Sequence, residues 1–156
     1  MSKPYYGFRT NRHEGNHPLK YYRVVRKFIA KQQKLPIADL EALIQLDDEY
    51  FSKARFKEAV LTNSWHKERF NKLIEEGWIE QWRERGFRSP ALFKPSGKSH
   101  RLVRRIYKIL AGEEDLPMST RRNPLERNPD KLKFSEKLLR EAVRAMDAQR
   151  KKDKFK

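Results

Sequence analysis

The chain has 156 residues, with 37 Lys and Arg against 21 Asp and Glu, a formal net charge of +16. It has no cysteine, which excludes disulfides, cysteine-ligated zinc and thiol chemistry, and no run of about 18 apolar residues, which excludes a membrane-spanning helix. An apolar content of 37% with 12% aromatics fits one folded domain with tails rather than a disordered polycation, and the excess charge points to a polyanion, most often nucleic acid.

Residues 1–16 mix Pro, Gly and Asn with Tyr5, Tyr6 and Phe8 and hold no period, so they read as an irregular basic and aromatic arm. No apolar leader stretch occurs in the first 30 residues, which predicts an intracellular chain. Leu19, Tyr22, Val25, Phe28 and Ile29 recur at spacings of three and four, predicting an amphipathic helix over 17–34. Pro36 starts a shorter helix whose apolar side is Ile37, Leu40, Leu43, Ile44 and Leu46, with Asp39 and Glu41 in its first turns. Tyr50-Phe51 reads as a brief extended piece. Ser52 is an N-cap candidate for SKARFKEAV, with Phe56, Ala59 and Val60 facing inward.

Thr62, Asn63 and Ser64 suit the start of a next helix, WHKERFNKLIEEG, with Phe70, Leu73 and Ile74 inward and Gly77 as its left-handed stop. Residues 78–83 and 90–93 read as the two strands of a small hairpin with a basic tip. From Ser96 a long helix carries Leu102, Val103, Ile106, Ile109 and Leu110 on one side and closes at Gly112. Residues 113–133 hold three prolines and little apolar content and read as a linker. Ser135 is the cap expected for a last helix over 134–152, with Leu138, Leu139, Ala142, Val143 and Met146 inward; 153–156 read as a basic tail.

The charge is uneven along the chain. Residues 1–34 carry a net +8, 35–60 a net −3, 61–112 a net +7 and 113–156 a net +4. This predicts a folded module with one basic face plus basic extensions. The fold class expected is mainly α with a small β-hairpin wing: two short helices and a tight turn, then a hairpin, make a winged helix-turn-helix. Its second short helix is the reader of the major groove.

The stretch LPIADLEALIQLDDEYFSKARFKEAVLTNSWHKERFNKLIEEGWIEQW resembles the run from second helix to first wing strand in the MarR/SlyA family of winged-helix regulators. LIEEGWIEQW matches the family's pattern of an apolar residue, charged residues, Gly and an apolar strand. FKPSGKSHRLVRRIYKIL stands where the family has L-T-x-x-G, with Phe93 at the Leu and Gly97 at the Gly. The resemblance covers residues 17–112, the winged-helix domain, and extends more weakly to 152. The chain departs from the family at His66 and near Arg69, where apolar residues are usual, and lacks the Asp of the wing's Asp-x-Arg pair.

The resemblance implies a homodimer on double-stranded DNA, regulating transcription, with flanking helices as the dimer layer; it names no small-molecule effector for this chain. The dimerisation residues expected are Leu19, Tyr22, Val25, Ile29, Leu102, Ile106, Leu110, Leu139, Val143 and Met146. The DNA-binding residues expected are Asn63, Ser64, Trp65, Lys67, Glu68, Asn71 and Lys72 on and before the reader helix, and Arg83, Arg85 and Arg88 on the wing. The bland alternatives are a solvated helix face, a packing role for Trp65 and a merely soluble hairpin tip. Arg101, Arg104, Arg105 and Lys108 form a basic stripe, either a solvated face or a phosphate track.

Catalysis finds no support: there is no G-x-S-x-G, no phosphate-binding glycine loop and no H-E-x-x-H. No cofactor is expected. His13, Glu14 and His17 make a poor metal motif, because no further ligand clusters with them, and His66 and His100 read as isolated packing or surface residues. The leading reading is therefore a sequence-specific regulator, cytoplasmic or nucleoid-associated. A second is a protein that organises nucleic acid without reading it, such as a packaging or virion factor of a mobile element. A third is a protein–protein adaptor using Tyr5, Tyr6, Phe8 and Trp65.

Overall fold

The computed structural model describes residues 18–61 and 66–154. The described elements are α1 (Pro18–Gln33), α2 (Ile37–Gln45), α3 (Lys53–Val60), α4 (Lys67–Glu75), β1 (Ile79–Arg83), β2 (Leu92–Pro95), α5 (Gly97–Leu110) and α6 (Phe134–Lys154). Two short 3-10 turns, Pro124–Glu126 and Pro129–Lys131, lie between α5 and α6. The protein is thus mainly helical with a small antiparallel hairpin. The described chain divides into two compact units, one of residues 36–104 and one of residues 1–35 with 105–156. In the second of these units α1 packs with α6.

The unit 36–104 is held by a phenylalanine core. Phe51, Phe56, Phe70 and Phe93 are all buried, and Phe70 meets Phe56 edge-on at 5.4 Å and Phe93 at 4.8 Å. Leu40, Leu43, Leu46, Leu73 and Ile79 are buried with them. Local chemistry sets the helix ends. Ser52 Oγ accepts the Arg55 amide as the N-cap of α3. α4 ends in a Schellman motif: Gly77, at φ +83°, donates to the Ile74 carbonyl, and Trp78 donates to that of Leu73. α1 and α3 end on left-handed residues that are not glycine, Lys34 at φ 56° and Leu61 at φ 56°.

The sheet pairs Ile79 with Pro95, Glu80 with Lys94, Gln81 with Phe93 and Arg83 with Leu92. Trp82 is the extra residue of a bulge. Phe51 adds a third short edge through two 2.8 Å backbone bonds to Phe93, as the extended reading of Tyr50-Phe51 expects.

In the unit 1–35 with 105–156, Val25, Phe28 and Ile29 are buried on α1, Ile106, Ile109 and Leu110 on α5, and Val143 and Met146 on α6. Gly112, at φ +83°, closes α5 by donating to Ile109 while Glu113 donates to Lys108. The stretch 113–133 is packed rather than a linker: Leu116, Asn123 and Leu125 are buried. Asn123 accepts the Leu125 amide and donates to the Pro117 carbonyl, so the Asn-Pro pair is a cap inside a folded turn. Gln32, at the end of α1, donates to the Arg122 carbonyl at 2.7 Å. Ser135 is not the cap of α6. The helix starts one residue earlier, at Phe134, and Glu136 accepts the Lys133 amide while pairing with Lys31 at 2.6 Å.

Glu126 is the polar hub of this unit. Arg140 and Arg144 each grip its carboxylate with two bonds of 2.9–3.1 Å. Arg144, then Arg140, hold its carboxyl below the ordinary glutamate range. A carboxyl lowered on folding adds stability above its ordinary value, and that stability is lost as pH falls through the lowered one. Glu126→Gln is expected to cost about 1.5–3 kcal/mol at neutral pH, from the lost hydrogen bonds to charged groups. It is also expected to flatten the acid limb of stability against pH, measured by urea denaturation.

Candidate nucleic-acid interface

α4 takes its orientation from its buried stripe. Phe70 and Leu73 are buried, which leaves Lys67, Glu68, Asn71 and Lys72 exposed on the remaining faces. The helix begins at Lys67, with His66 in the cap position, later than the expected start near Trp65. Asn63, Ser64 and Trp65 lie outside the described residues, as do Tyr5, Tyr6, Phe8, His13, Glu14 and His17. Glu68 is tied up locally. Its carboxyl is held below the ordinary range by its own backbone amide and then by His66, whose Nδ1 lies 2.9 Å away. It braces the helix start, where an anion is favoured. Lys72 makes only a loose i,i+4 pair with Glu76 at 3.8 Å.

Two contacts lock α4 within its unit. Arg69 Nη2 donates to Asp39 Oδ1 at 2.9 Å, joining α4 to α2. Asp39 is 2% exposed, and burial pushes its carboxyl above the ordinary range, with Arg69 pulling it partly back. At the other end Lys98 donates to the Glu76 carbonyl at 2.9 Å and lies 4.0 Å over the Trp78 ring, placing a cation at the helix C-terminus.

The hairpin emerges from α4 through Gly77 and Trp78. Its neck is closed by Arg83, which donates to the Pro90 carbonyl at 3.3 Å, and by the Gly86 amide, which donates to the Ser89 carbonyl at 3.0 Å. Phe87 and Arg88 therefore form the apex. Arg83, Arg85 and Arg88 are all exposed, with Glu84 the only acidic residue among positions 83–91. At the bulge, Trp82 is half exposed and packs on Tyr50 at 4.4 Å.

Along α5, Arg101, Arg104 and Lys108 are exposed, whereas Arg105 is paired with Glu114 at 3.0 Å. The stripe thus keeps three exposed cations. His100 is not isolated as expected. Its Nδ1 lies 3.0 Å from Asp47 and 3.5 Å from Asp48, beside a hollow of about 170 Å³ that Lys94 also lines. The donor atoms of Asp47, Asp48 and His100 fall within 4.8 Å of one another. The bonds within the cluster and the cation of Lys94 fit a clamp between the 46–50 loop and α5. Only sequence neighbours invite inspection as a cluster, and His100 lies 53 residues from Asp47.

Of the ten residues expected to make a dimer layer, Val25, Ile29, Leu102, Ile106, Leu110, Val143 and Met146 are buried within the chain itself. Their apolar stripe is covered by packing within the chain. Leu19 is 91% exposed, and Tyr22 and Leu139 are half-buried. No protein-family model, curated protein or solved structure matches the chain. Among the described residues, no helix is long and apolar enough to cross a membrane.

Proposed function

We propose that the chain is a winged helix-turn-helix protein that binds double-stranded DNA as a homodimer and regulates transcription, with no catalytic role. The observation that carries this reading lies in the unit 36–104. A short helix anchored by Phe70, Leu73 and Arg69 presents Lys67, Asn71 and Lys72, and is followed directly by a hairpin that exposes three arginines between its neck and its apex. Asn71 is the candidate for a base edge, and the lysines and arginines for phosphates and groove. The dimer contact on this reading falls to the residues with surface left, Leu19, Tyr22 and Leu139. A DNA partner agrees with a cytoplasmic or nucleoid location.

The second reading, a protein that organises nucleic acid without reading sequence, is favoured by one feature: Glu68 is engaged with His66 and its own backbone, which leaves α4 few groups for base edges.

Selection from a randomised duplex library at physiological salt tests both. A palindrome supports the regulator; tight binding without enrichment supports the organiser; no binding overturns both. In either case the variant Arg83→Ala/Arg85→Ala/Arg88→Ala is expected to weaken duplex binding. If all three arginines neutralise phosphates, the slope of log affinity against log salt becomes shallower by about 2.7. An unchanged slope removes the wing from the interface.

A further inference from the structure

The wing tip carries a side chain that its charge does not explain. Phe87 is 96% exposed, the most exposed large apolar residue described. It occupies the apex of a turn closed by the Gly86–Ser89 and Arg83–Pro90 bonds, so the ring projects from a braced neck rather than from a loose loop. A β-carbon at Gly86 would come within 2.6 Å of Ser89 Oγ, which shows how closely the two sides of the neck approach. Arg85 and Arg88 stand on either side of Phe87 in the sequence, and the Arg88 guanidinium lies 5.5 Å from the ring centroid. An apolar ring held out in water is unfavourable to the free protein. With the Arg88 guanidinium beside it and Arg83 and Arg85 exposed on the same hairpin, it is matched to a surface that is anionic outside and apolar just beneath.

We propose that Phe87 is a wedge that enters the minor groove of duplex DNA and partly unstacks one base step, kinking the duplex. This rests on the nucleic-acid reading above and names the way the wing engages. The charge and the ring divide the work. Arg83, Arg85 and Arg88 are drawn to the phosphates and the negative potential of the groove, and bring the apex to the base edges. The ring then exchanges water for the faces of two bases, in the manner of apolar wedges that bend DNA from the minor groove. A two-residue apex is narrow enough for a groove about 6 Å wide, which a helix cannot enter. The recognition that follows is of deformability: pyrimidine–purine steps, which unstack most readily, are the favoured insertion points. Phosphate contact by the three arginines carries no such preference.

The test uses the full chain and duplexes bearing 2-aminopurine at a central TA step, with a second set end-labelled for energy transfer. Wild-type protein is expected to raise the 2-aminopurine emission and shorten the end-to-end distance. Phe87→Ala is expected to bind about tenfold more weakly with an unchanged salt slope, and to lose both signals. Phe87→Leu, which keeps an apolar wedge, is expected to retain both. If wild type binds duplex but Phe87→Ala has the same affinity and the same signals, the wedge is overturned while the DNA reading stands. If wild type binds no duplex, the DNA reading falls and the wedge with it. Vesicles of phosphatidylcholine and phosphatidylserine provide the remaining arm. Loss of vesicle co-sedimentation in Phe87→Ala with duplex binding unaltered would assign the ring to a membrane surface and overturn the proposal.

Discussion

Replacing Phe70 with alanine is expected to destabilise the protein by about 3–5 kcal/mol, the usual cost of deleting a fully buried aromatic side chain. The ring has no exposed surface, and its edge-to-face contacts with Phe56 and Phe93 tie α4 to α3 and β2. Each such pair contributes about 0.5–1.5 kcal/mol beyond the area it buries. The loss is large against the 5–15 kcal/mol that typically separates folded from unfolded chains. The melting temperature is expected to drop by roughly 6–20 °C, read by circular dichroism. Phe70→Leu keeps most of the volume and is expected to cost far less. The two variants also separate stability from recognition: at a temperature where both are folded, Phe70→Leu should bind duplex like wild type. A loss below about 1 kcal/mol for Phe70→Ala would mean that the phenylalanine cluster collapses to fill the void.

The second large effect concerns Asp39 and Arg69. Asp39→Ala leaves the guanidinium of Arg69 partly buried without its carboxylate, and breaking a buried pair from one side costs about 3–5 kcal/mol. The double variant Asp39→Leu/Arg69→Met removes both charges and is expected to recover most of that loss. The pair differs from Glu126 in the sign of its pH dependence. Burial raises the Asp39 carboxyl on folding, so the folded state holds this proton more tightly than the unfolded chain does. Its titration therefore favours the fold at low pH, and that contribution declines as pH rises from the ordinary aspartate range through the raised value. Wild type minus Asp39→Asn should show a falling difference in stability with rising pH in that window, and wild type minus Glu126→Gln a rising one. Because Arg69 lies in the first turn of α4, Asp39→Ala should also weaken duplex binding, whereas the double variant keeps α4 packed.

Local chemistry was readable in the chain where it acts over a few residues. Ser52, Gly77 and Gly112 end or begin helices because their side chains, or the lack of one, solve a nearby backbone problem. The apolar stripes of α1, α2 and α5 follow from periods of three and four, and the hairpin from two apolar runs around a polar turn. The contacts that fix the site span more of the sequence. Asp39 and Arg69 are 30 residues apart, and each alone looks like an ordinary helix-surface charge. Leu116 and Leu125 are single apolar residues in a polar stretch, so no period announces that they are buried. Ser135 looked like a cap by residue type, but Glu136 serves the helix start better because its longer side chain reaches the Lys133 amide. The inward stripes of α1 and α6 read equally well as a dimer face, since periodicity says only that a face is covered, not by which chain.

The two units differ in how their residues are drawn from the chain, and synthesis on the ribosome gives that difference a direction. Residues 36–104 are contiguous and are complete soon after they leave the exit tunnel. The other unit joins α1 to elements that follow residue 104, so α1 is made well before its partner α6. At about 5–20 residues per second, roughly 110 residues of synthesis separate Ile29 from Val143, a delay of roughly 5–20 s. During that interval Val25, Phe28 and Ile29 have no native cover from α6. For those seconds the nascent chain carries three apolar side chains without their late partner, the kind of segment a chaperone holds until synthesis is complete.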